Sequence, residues 1–263
     1  MTVVSGLWEV LTLSAASAPR SGVEKMRYLR RGVEEFYRVI RREPKIHAGE
    51  FDLNLLPRML GKDDPVILEI GCNDGGVTLA FLELFPRSKV FAFEPDPRAI
   101  ERFNGNVKNE RAKLFNIAIA GSNGLTEFYL SGGHPSPDWE ASLPRGWDMS
   151  SSIRKPKQHL NLHPWCTFDE VINVQTKTLD TWCAEEDVDS IDFIWADVQG
   201  AEIDLITGGQ QSLSRTRYLY TEYNNREMYE GQVKLRDILR LLPDFEVVKR
   251  FSNDILLKNT NFK

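Results

Sequence analysis

The sequence has few cysteines, no long apolar run and no excess of positive charge. The three cysteines among 263 residues, Cys72, Cys166 and Cys183, are an odd number at unrelated spacings, so they predict neither a disulfide framework nor a zinc site. This sparse use of cysteine favours a reducing, cytoplasmic environment. No apolar stretch approaches the roughly 20 residues that a membrane-spanning helix needs, so we expect no membrane partner.

Charge is mildly negative overall but unevenly distributed. With 33 Lys and Arg against 38 Asp and Glu, the net charge of −5 argues against broad nucleic-acid binding. Residues 20–42 carry eight basic and three acidic side chains, and apolar residues recur there every three or four positions. This pattern predicts an amphipathic helix with a basic outer face. That face is either simply solvated or meets an anionic substrate or acidic partner. The segment before Ala15–Ala18 lacks Lys and Arg, which argues against a secretory signal.

From Pro65 onwards, apolar strands alternate with amphipathic helices. The predicted fold is therefore α/β, a doubly wound, mainly parallel, Rossmann-like sheet, with an N-terminal helical extension (1–60) before the sheet domain (61–263). We predict single helices over about 201–213 and 233–242. The predicted strands are 66–70, 90–93, 113–118, 191–196 and 218–223, followed by an antiparallel pair over 246–251 and 254–258.

The turn after the first strand is the first candidate site. Residues 71–76 lead into a helix, where glycines let the backbone approach a ligand and unpaired N–H groups face it. Glu94 follows the next strand, 23 residues after Gly71. A carboxylate in that position accepts hydrogen bonds from both hydroxyls of a ribose. The combination predicts a nucleoside-type ligand, whereas a glycine turn alone is common in α/β loops.

The residues of this turn favour S-adenosylmethionine over a nicotinamide cofactor. A dinucleotide fingerprint would require glycine at position 73, which is Asn73. Asp74 would repel a pyrophosphate. S-adenosylmethionine has no phosphate and carries a sulfonium and an ammonium group, which suit the nearby acids Glu69 and Asp74.

These segments resemble the FkbM family of class I S-adenosylmethionine-dependent methyltransferases. The resemblance covers about residues 65–258, and its most specific block is Asp197-Val-Gln-Gly-Ala-Glu202. Position 199 is Gln where the family usually has Glu, which removes a negative charge beside Asp197. The other carrying segments are Glu69–Gly75, Phe93–Pro95, Thr178–Trp182, Glu222–Tyr223 and Tyr229–Gln232.

The resemblance implies roles for particular residues. Glu69, Gly71, Asp74 and Gly75 would line the methionine moiety of the cofactor. Glu94 would hold the ribose, and Asp197 would face both the methyl group and the acceptor. Asn73 and Pro95 belong to the same cofactor motifs, and Asn116, Ile117 and Ala118 would lie beside the adenine. A purely structural alternative for Asp197 is a helix cap.

Residues 121–175, which we term the lid insertion, interrupt the alternation of strands and helices. Within residues 132–165 lie five of the 13 prolines, three of the six tryptophans and three of the four histidines. We expect strands over 125–130 and 171–177 at its base and a lid over the acceptor pocket between them. The serines at 150–152 match a cluster often seen at this point in FkbM-like sequences. They either touch cofactor or substrate or form an ordinary polar loop.

The expected chemistry is transfer of a methyl group to a hydroxyl of a sugar, glycan precursor or secondary metabolite. A hydroxyl acceptor must lose its proton as the new bond forms, and the candidate catalytic residues are Asp197, Glu222, His163 and His134. A divalent metal held by Asp197 and Glu222 is an alternative, although no tight ligand cluster is visible. The expected partner is a small-molecule or glycan acceptor, with a homodimer left open. A nicotinamide-dependent oxidoreductase and a non-catalytic protein that binds S-adenosylmethionine are the other classes.

Overall fold

The computed structural model describes residues 51–262, which build a seven-stranded sheet, a second sheet of three strands, and flanking helices. The strands, in chain order, are β1 (Val66–Ile70), β2 (Lys89–Phe93), β3 (Ala112–Phe115), β4 (Ala118–Ile119), β5 (Gly124–Gly133), β6 (Cys166–Lys177), β7 (Ile191–Ala196), β8 (Thr216–Glu222), β9 (Phe245–Arg250) and β10 (Asp254–Asn259).

The large sheet has the strand order β3-β2-β1-β7-β8-β10-β9. Neighbours from β3 to β8 are parallel, and β10 runs antiparallel to both β8 and β9. This arrangement confirms the predicted doubly wound, mainly parallel sheet and its final antiparallel pair. The chain proceeds from β1 towards β3 on one side and from β7 towards β8 on the other. The carboxyl ends of β1 and β7 therefore form the switch point where ligands bind in such sheets.

Two apolar layers cover the faces of the large sheet. On one face, the buried side chains of β1 and β7 pack with Leu179 and Trp182. On the other face, Phe81 and Phe85 pack with Phe193, Trp195 and the segment 51–60. In that segment four apolar residues are buried in the same layer, namely Phe51, Leu53, Leu56 and Leu60. The division of the chain near residue 60 stays a prediction, and the predicted basic helix over 20–42 lies outside the described residues.

Nine α-helices lie in the described part of the chain. None of these helices, within residues 51–262, combines the length and the apolar character that crossing a membrane requires. They are α1 (Leu56–Leu60), α2 (Gly76–Leu84), α3 (Pro97–Asn106), α4 (Pro137–Ser142), α5 (His159–Leu162), α6 (Leu179–Glu185), α7 (Glu202–Gly208), α8 (Gln210–Ser214) and α9 (Leu235–Leu241).

Two elements differ from the sequence prediction. The single helix expected over 201–213 is broken between α7 and α8 at Gly209. A β-carbon at Gly208 would lie 2.2 Å from the carbonyl oxygen of Ala120. The backbone of α7 therefore lies directly against the backbone at Ala120, with no room for a side chain between them. The third strand, expected to run to residue 118, ends at Phe115, and Ala118 belongs to the second sheet.

The lid insertion is built on the second sheet, which has the order β4-β6-β5. Strands β5 and β6 pair antiparallel over ten and twelve residues, longer than predicted, while β4 runs parallel to β6. Residues 134–165 connect β5 with β6 and contain helices α4 and α5; we call them the β5–β6 connection.

Candidate active site

The switch point brings the turn after β1 against the end of β7. Gly71 has φ +87°, and a β-carbon there would lie 1.9 Å from the carbonyl oxygen of Asp197. The Asp197 N–H donates to the carbonyl oxygen of Ile70 at 2.9 Å. Only a glycine at position 71 lets the two strand ends approach this closely.

The remainder of the turn is fixed by backbone hydrogen bonds and a second glycine. The N–H groups of Gly71 and Cys72 both donate to the carbonyl oxygen of Phe93, at 2.9 and 3.0 Å. Asn73 adopts φ +45°, and Gly75 has φ +82°, where a β-carbon would collide with Val107 and Phe103. The Asp74 carboxylate accepts a hydrogen bond from the Gly76 N–H at 3.1 Å, at the start of α2.

Glu94 lies directly beside this turn. One of its carboxyl oxygens accepts the Asn73 N–H at 2.9 Å, and the other accepts the Asp96 N–H at 2.8 Å. Burial raises the pKa of Glu94 to about 8, despite these two donors. Because each carboxyl oxygen has a further lone pair, the group retains capacity for two more donors. Pro95 is half-buried between Glu94 and the cap residue of α3.

A second buried acid, Glu69, lies one residue before the end of β1. Its carboxyl group accepts a hydrogen bond from the Thr78 hydroxyl of α2. Burial raises the pKa of Glu69 well above its usual range. A cation placed at this turn would favour the ionised form.

The three residues predicted beside the adenine lie between the two sheets. Asn116 is exposed, Ile117 packs against the core, and Ala118 begins β4. The N–H of Glu94 donates to the carbonyl oxygen of Phe115 at 3.1 Å, which brings this segment beside the end of β2.

Asp197 and Glu222, at the ends of the adjacent parallel strands β7 and β8, are joined through Gln199. The Gln199 amide nitrogen lies 2.6 Å from a carboxyl oxygen of Asp197 and 3.3 Å from one of Glu222. Burial raises the pKa of Asp197 to about 6. Burial and the charge of Asp197 raise the pKa of Glu222 further, well above its usual range. Of these two acids, Glu222 therefore holds its proton more tightly than Asp197.

A cavity of about 250 Å³ opens beside these strand ends. Aromatic, amide and methionine side chains line it together with one carboxyl group, that of Glu222. The lining residues are Trp147, Met149, Ser150, His159, His163, Trp165, Gln199, Gly200, Glu222, Tyr223, Asn224, Met228, Tyr229, Gln232 and Asn253. The cavity walls come from the β5–β6 connection, from the turn after β7, from the end of β8 and the loop after it, and from the turn between β9 and β10.

The predicted catalytic residues occupy different places around this cavity. Glu222 and His163 line it, whereas Asp197 is not among the described lining residues and connects to it through Gln199. His134 does not line the cavity either, and its Nε2 lies 2.9 Å from the carbonyl oxygen of Leu143. Within residues 51–262, no three His, Cys, Asp or Glu side chains converge to hold a metal ion.

Comparison with known proteins decides the family. The sequence profile described as "Methyltransferase FkbM domain" matches residues 69–251, which is more than half of the chain. The chain belongs to the FkbM methyltransferase family. It is an enzyme that uses S-adenosylmethionine as methyl donor, and this decides against the nicotinamide alternative.

The relatives of this FkbM methyltransferase include one curated protein and several solved structures. It is 50% identical over 207 residues to "2-O-methyltransferase NoeI" of Sinorhizobium fredii, covering 77% of this chain and 82% of that protein. A putative rRNA-methylase from Clostridium thermocellum is 10% identical with a TM-score of 0.42, covering 81% of this chain and 99% of that one. Fibrillarin of Aeropyrum pernix, solved with natively bound S-adenosyl-L-methionine, is 14% identical with a TM-score of 0.37, covering 75% and 66%. The fold is established by the strand order of the large sheet.

Two of the cavity residues of this FkbM methyltransferase that sequence reasoning did not assign to the site are His159 and Tyr229. His159 is buried, and burial together with the neighbouring His163 lowers its pKa to about 4, so its ring is neutral. The Tyr229 hydroxyl lies 2.8 Å from the carbonyl oxygen of Ser150 and 3.1 Å from Oε1 of Gln199. The segment Tyr229–Gln232 carried the family resemblance and was the available signal for Tyr229. Nothing in the sequence distinguished His159 from the other histidines.

The serines at 150–152 attach the β5–β6 connection of this methyltransferase to the turns after β2 and β7. Ser150 lines the cavity. The Ser151 hydroxyl donates to the carboxylate of Asp96 at 3.1 Å, and the Ser152 hydroxyl donates to the carbonyl oxygen of Gln199 at 2.7 Å. The cluster therefore contacts the turn after β2 and the turn after β7 together.

Proposed function

We propose that this FkbM methyltransferase transfers the methyl group to the 2-hydroxyl of a sugar, in a free sugar, a glycan precursor or a glycosylated secondary metabolite. The observation that carries the proposal is the 50% identity to a 2-O-methyltransferase over 82% of that protein's length. The geometry agrees with it, since a polar and aromatic cavity adjoins the strand ends that bear Asp197 and Glu222. Polar groups that fix hydroxyls and aromatic rings that cover apolar faces are the lining expected for such an acceptor.

The proposed cofactor site is the crevice around residues 69–75 and Glu94. The free lone pairs of Glu94 fit the hydroxyls of a ribose, and Gly71 and Gly75 allow the tight backbone path that places the turn beside this carboxyl group. When bound there, S-adenosylmethionine supplies an electrophilic methyl group on a sulfonium. We assign this site to Glu69, Gly71, Asn73, Asp74, Gly75, Glu94, Pro95, Asp197 and the adenine-side residues Asn116, Ile117 and Ala118.

The proposed acceptor site is the cavity, with Asp197 as the group that takes the hydroxyl proton. Asp197 suits this role because its pKa of about 6 lies close to neutral pH, which favours general base catalysis. Glu222, whose pKa burial raises well above its usual range, lines the cavity and suits hydrogen bonding to the acceptor. His163 also lines the cavity and is the second candidate base, and His134 is the remoter one.

Acceptors with individually blocked hydroxyls test the proposal. The enzyme is incubated with S-adenosylmethionine labelled in its methyl group and a panel of mono- and oligosaccharides. For each accepted sugar, matched derivatives carry a methoxy group in place of one hydroxyl. We expect label on carbohydrate oxygen and loss of transfer only when the 2-hydroxyl is blocked. Label at another oxygen would contradict the regiochemistry, and label on nitrogen or carbon would contradict hydroxyl methylation.

A further inference from the structure

Gln199 lies at the centre of a hydrogen-bond network. This network joins the ends of β7 and β8, the loop after β8 and the β5–β6 connection. Its amide nitrogen contacts Asp197 at 2.6 Å and Glu222 at 3.3 Å, and its Oε1 lies 3.1 Å from the Tyr229 hydroxyl. Its own carbonyl oxygen accepts the Ser152 hydroxyl at 2.7 Å. Among the described residues, Gln199 is the side chain that hydrogen-bonds to both carboxyl groups.

The backbone at this position is strained to achieve the arrangement. Gln199 adopts φ +48°, a conformation that costs a non-glycine residue free energy and persists where the surroundings enforce it. The next residue, Gly200, has φ +92°, and a β-carbon there would lie 2.7–2.9 Å from side-chain atoms of Tyr229. The turn is thus pressed against Tyr229, which presents its hydroxyl to the Gln199 amide.

The surroundings of Asp197 are acidic on every side. The ionisable groups that face it are Glu69 of β1, Glu222 of β8, Asp254 of β10, Glu202 of α7 and the phenols of Tyr220 and Tyr229. Burial raises the pKa of Asp197 most, the hydrogen bond from Gln199 lowers it, and the negative charge of Asp254 raises it. A neutral donor at position 199 therefore opposes protonation of Asp197, and a third carboxylate there would favour it.

We propose that Gln199 is a positioning residue for methyl transfer, whose side-chain amide donates to the carboxylate of Asp197, orients it and favours its ionised form. Tyr229 acts on the same step indirectly, because its single hydroxyl proton is shared between the carbonyl oxygen of Ser150 at 2.8 Å and Oε1 of Gln199 at 3.1 Å and so helps to fix the orientation of the amide. This inference rests on the proposed role of Asp197 as the group that accepts the hydroxyl proton.

Four variants measured across pH test the inference. Gln199→Ala removes the donor, Gln199→Glu replaces it by an acid of similar size, and Tyr229→Phe leaves the amide but removes the hydroxyl that orients it. Gln211→Glu, on the exposed face of α8, adds the same charge away from the site and serves as the matched control. For each variant, kcat and KM are measured from pH 5 to 9, together with the Kd for S-adenosylmethionine and the melting temperature.

The expected result is a change in kcat and in its pH dependence. Loss of a hydrogen bond to a charged group predicts a roughly 10- to 100-fold lower kcat in Gln199→Ala. Gln199→Glu should move the acidic midpoint of the kcat profile upwards by about one pH unit or more. Tyr229→Phe should move it in the same direction by less. Melting temperature and cofactor Kd should stay close to those of the unmodified enzyme, and Gln211→Glu should leave the midpoint in place.

The outcomes separate this inference from the proposed function. If Asp197→Asn slows transfer but the Gln199 and Tyr229 variants keep the wild-type midpoint and kcat, the positioning role of Gln199 is wrong. If Asp197→Asn has no effect on the rate, the proposed role of Asp197 as the base is wrong, and the positioning role of Gln199 is wrong with it. If Gln199→Glu does not fold, Gln199→Ala and Tyr229→Phe decide, and a wild-type midpoint and kcat in both overturn the inference.

Discussion

Asp148 of the β5–β6 connection forms an ion pair with Arg102 of helix α3, with 2.6 Å between the Asp148 carboxylate and the guanidinium. The Asp148 side chain is wholly buried, while that of Arg102 is 28% exposed. Both also contact Asn73: the Asn73 side-chain amide donates to Asp148 at 3.2 Å and accepts from Arg102 at 3.0 Å. The segment that walls the acceptor cavity is thereby attached to the turn assigned to the cofactor.

We expect Asp148→Ala to lower the free energy of unfolding by about 2–3 kcal/mol, because it leaves the half-buried guanidinium of Arg102 without a carboxylate partner. The full cost of breaking a buried pair is not expected, since Arg102 retains contact with water. Glu101→Ala is the matched control, because Glu101 pairs with Arg145 between the same two segments but both side chains are largely exposed. It should cost at most about 1 kcal/mol. Urea denaturation measures both, and equal losses would contradict the structural role of Asp148.

Gly71→Ala should abolish cofactor binding and destabilise the protein by more than about 2 kcal/mol, because the new methyl group would meet the Asp197 carbonyl oxygen at positive φ. Gly105→Ala is the control. Gly105 lies in α3, and a β-carbon at this position would have nothing within 4 Å, so this change should stabilise the helix by about 0.5–1 kcal/mol. Thermal melting and calorimetric titration with S-adenosylmethionine provide the comparison. Normal binding by Gly71→Ala would show that the strand ends need not approach so closely.

Glu94 should lose a proton when the cofactor binds near pH 7. Its pKa of about 8 keeps it mostly protonated in the ligand-free protein, whereas accepting hydrogen bonds from two ribose hydroxyls favours the ionised form. Titration calorimetry at pH 7 in buffers of different ionisation enthalpy counts the protons released. Glu94→Gln should remove most of this release and weaken binding by about 2–3 kcal/mol. Unchanged proton release in the variant would assign it to another acid, such as Glu69.

Asp197→Asn should reduce the methylation rate roughly 10²- to 10⁴-fold while leaving melting and cofactor affinity nearly unchanged. Because the pKa of Asp197 is raised to about 6 and the base must be ionised, the wild-type rate should rise with pH through that value. The variant should lack this rise. Initial rates of methyl transfer to an accepted sugar, measured from pH 5 to 9, test both effects. A collapse of stability with an unchanged rate per folded molecule would make Asp197 a structural cap instead.

The sequence predicted the elements that depend on local pattern. Buried apolar runs gave β1 and β2, and the acid at the end of β2, Glu94, was placed beside the turn by the parallel strand order. The break at Gly209 has a local signal, the pair Gly208-Gly209, whereas the approach of Ala120, distant in sequence, to Gly208 has none. The same holds for Tyr229, which contacts Gln199 only once the loop after β8 has folded back. Contacts between distant segments leave no periodic pattern in either segment.

The segment 155–159 and the segment 227–230 are paired backbone to backbone. The Glu230 N–H donates to the Lys155 carbonyl oxygen at 2.8 Å, and the Lys157 N–H donates to that of Met228 at 2.8 Å. One segment comes from the insertion after β5 and the other from the loop after β8, and together they wall the cavity. A change of acceptor range by recombination must therefore carry both segments at once, since either one alone would meet a foreign partner.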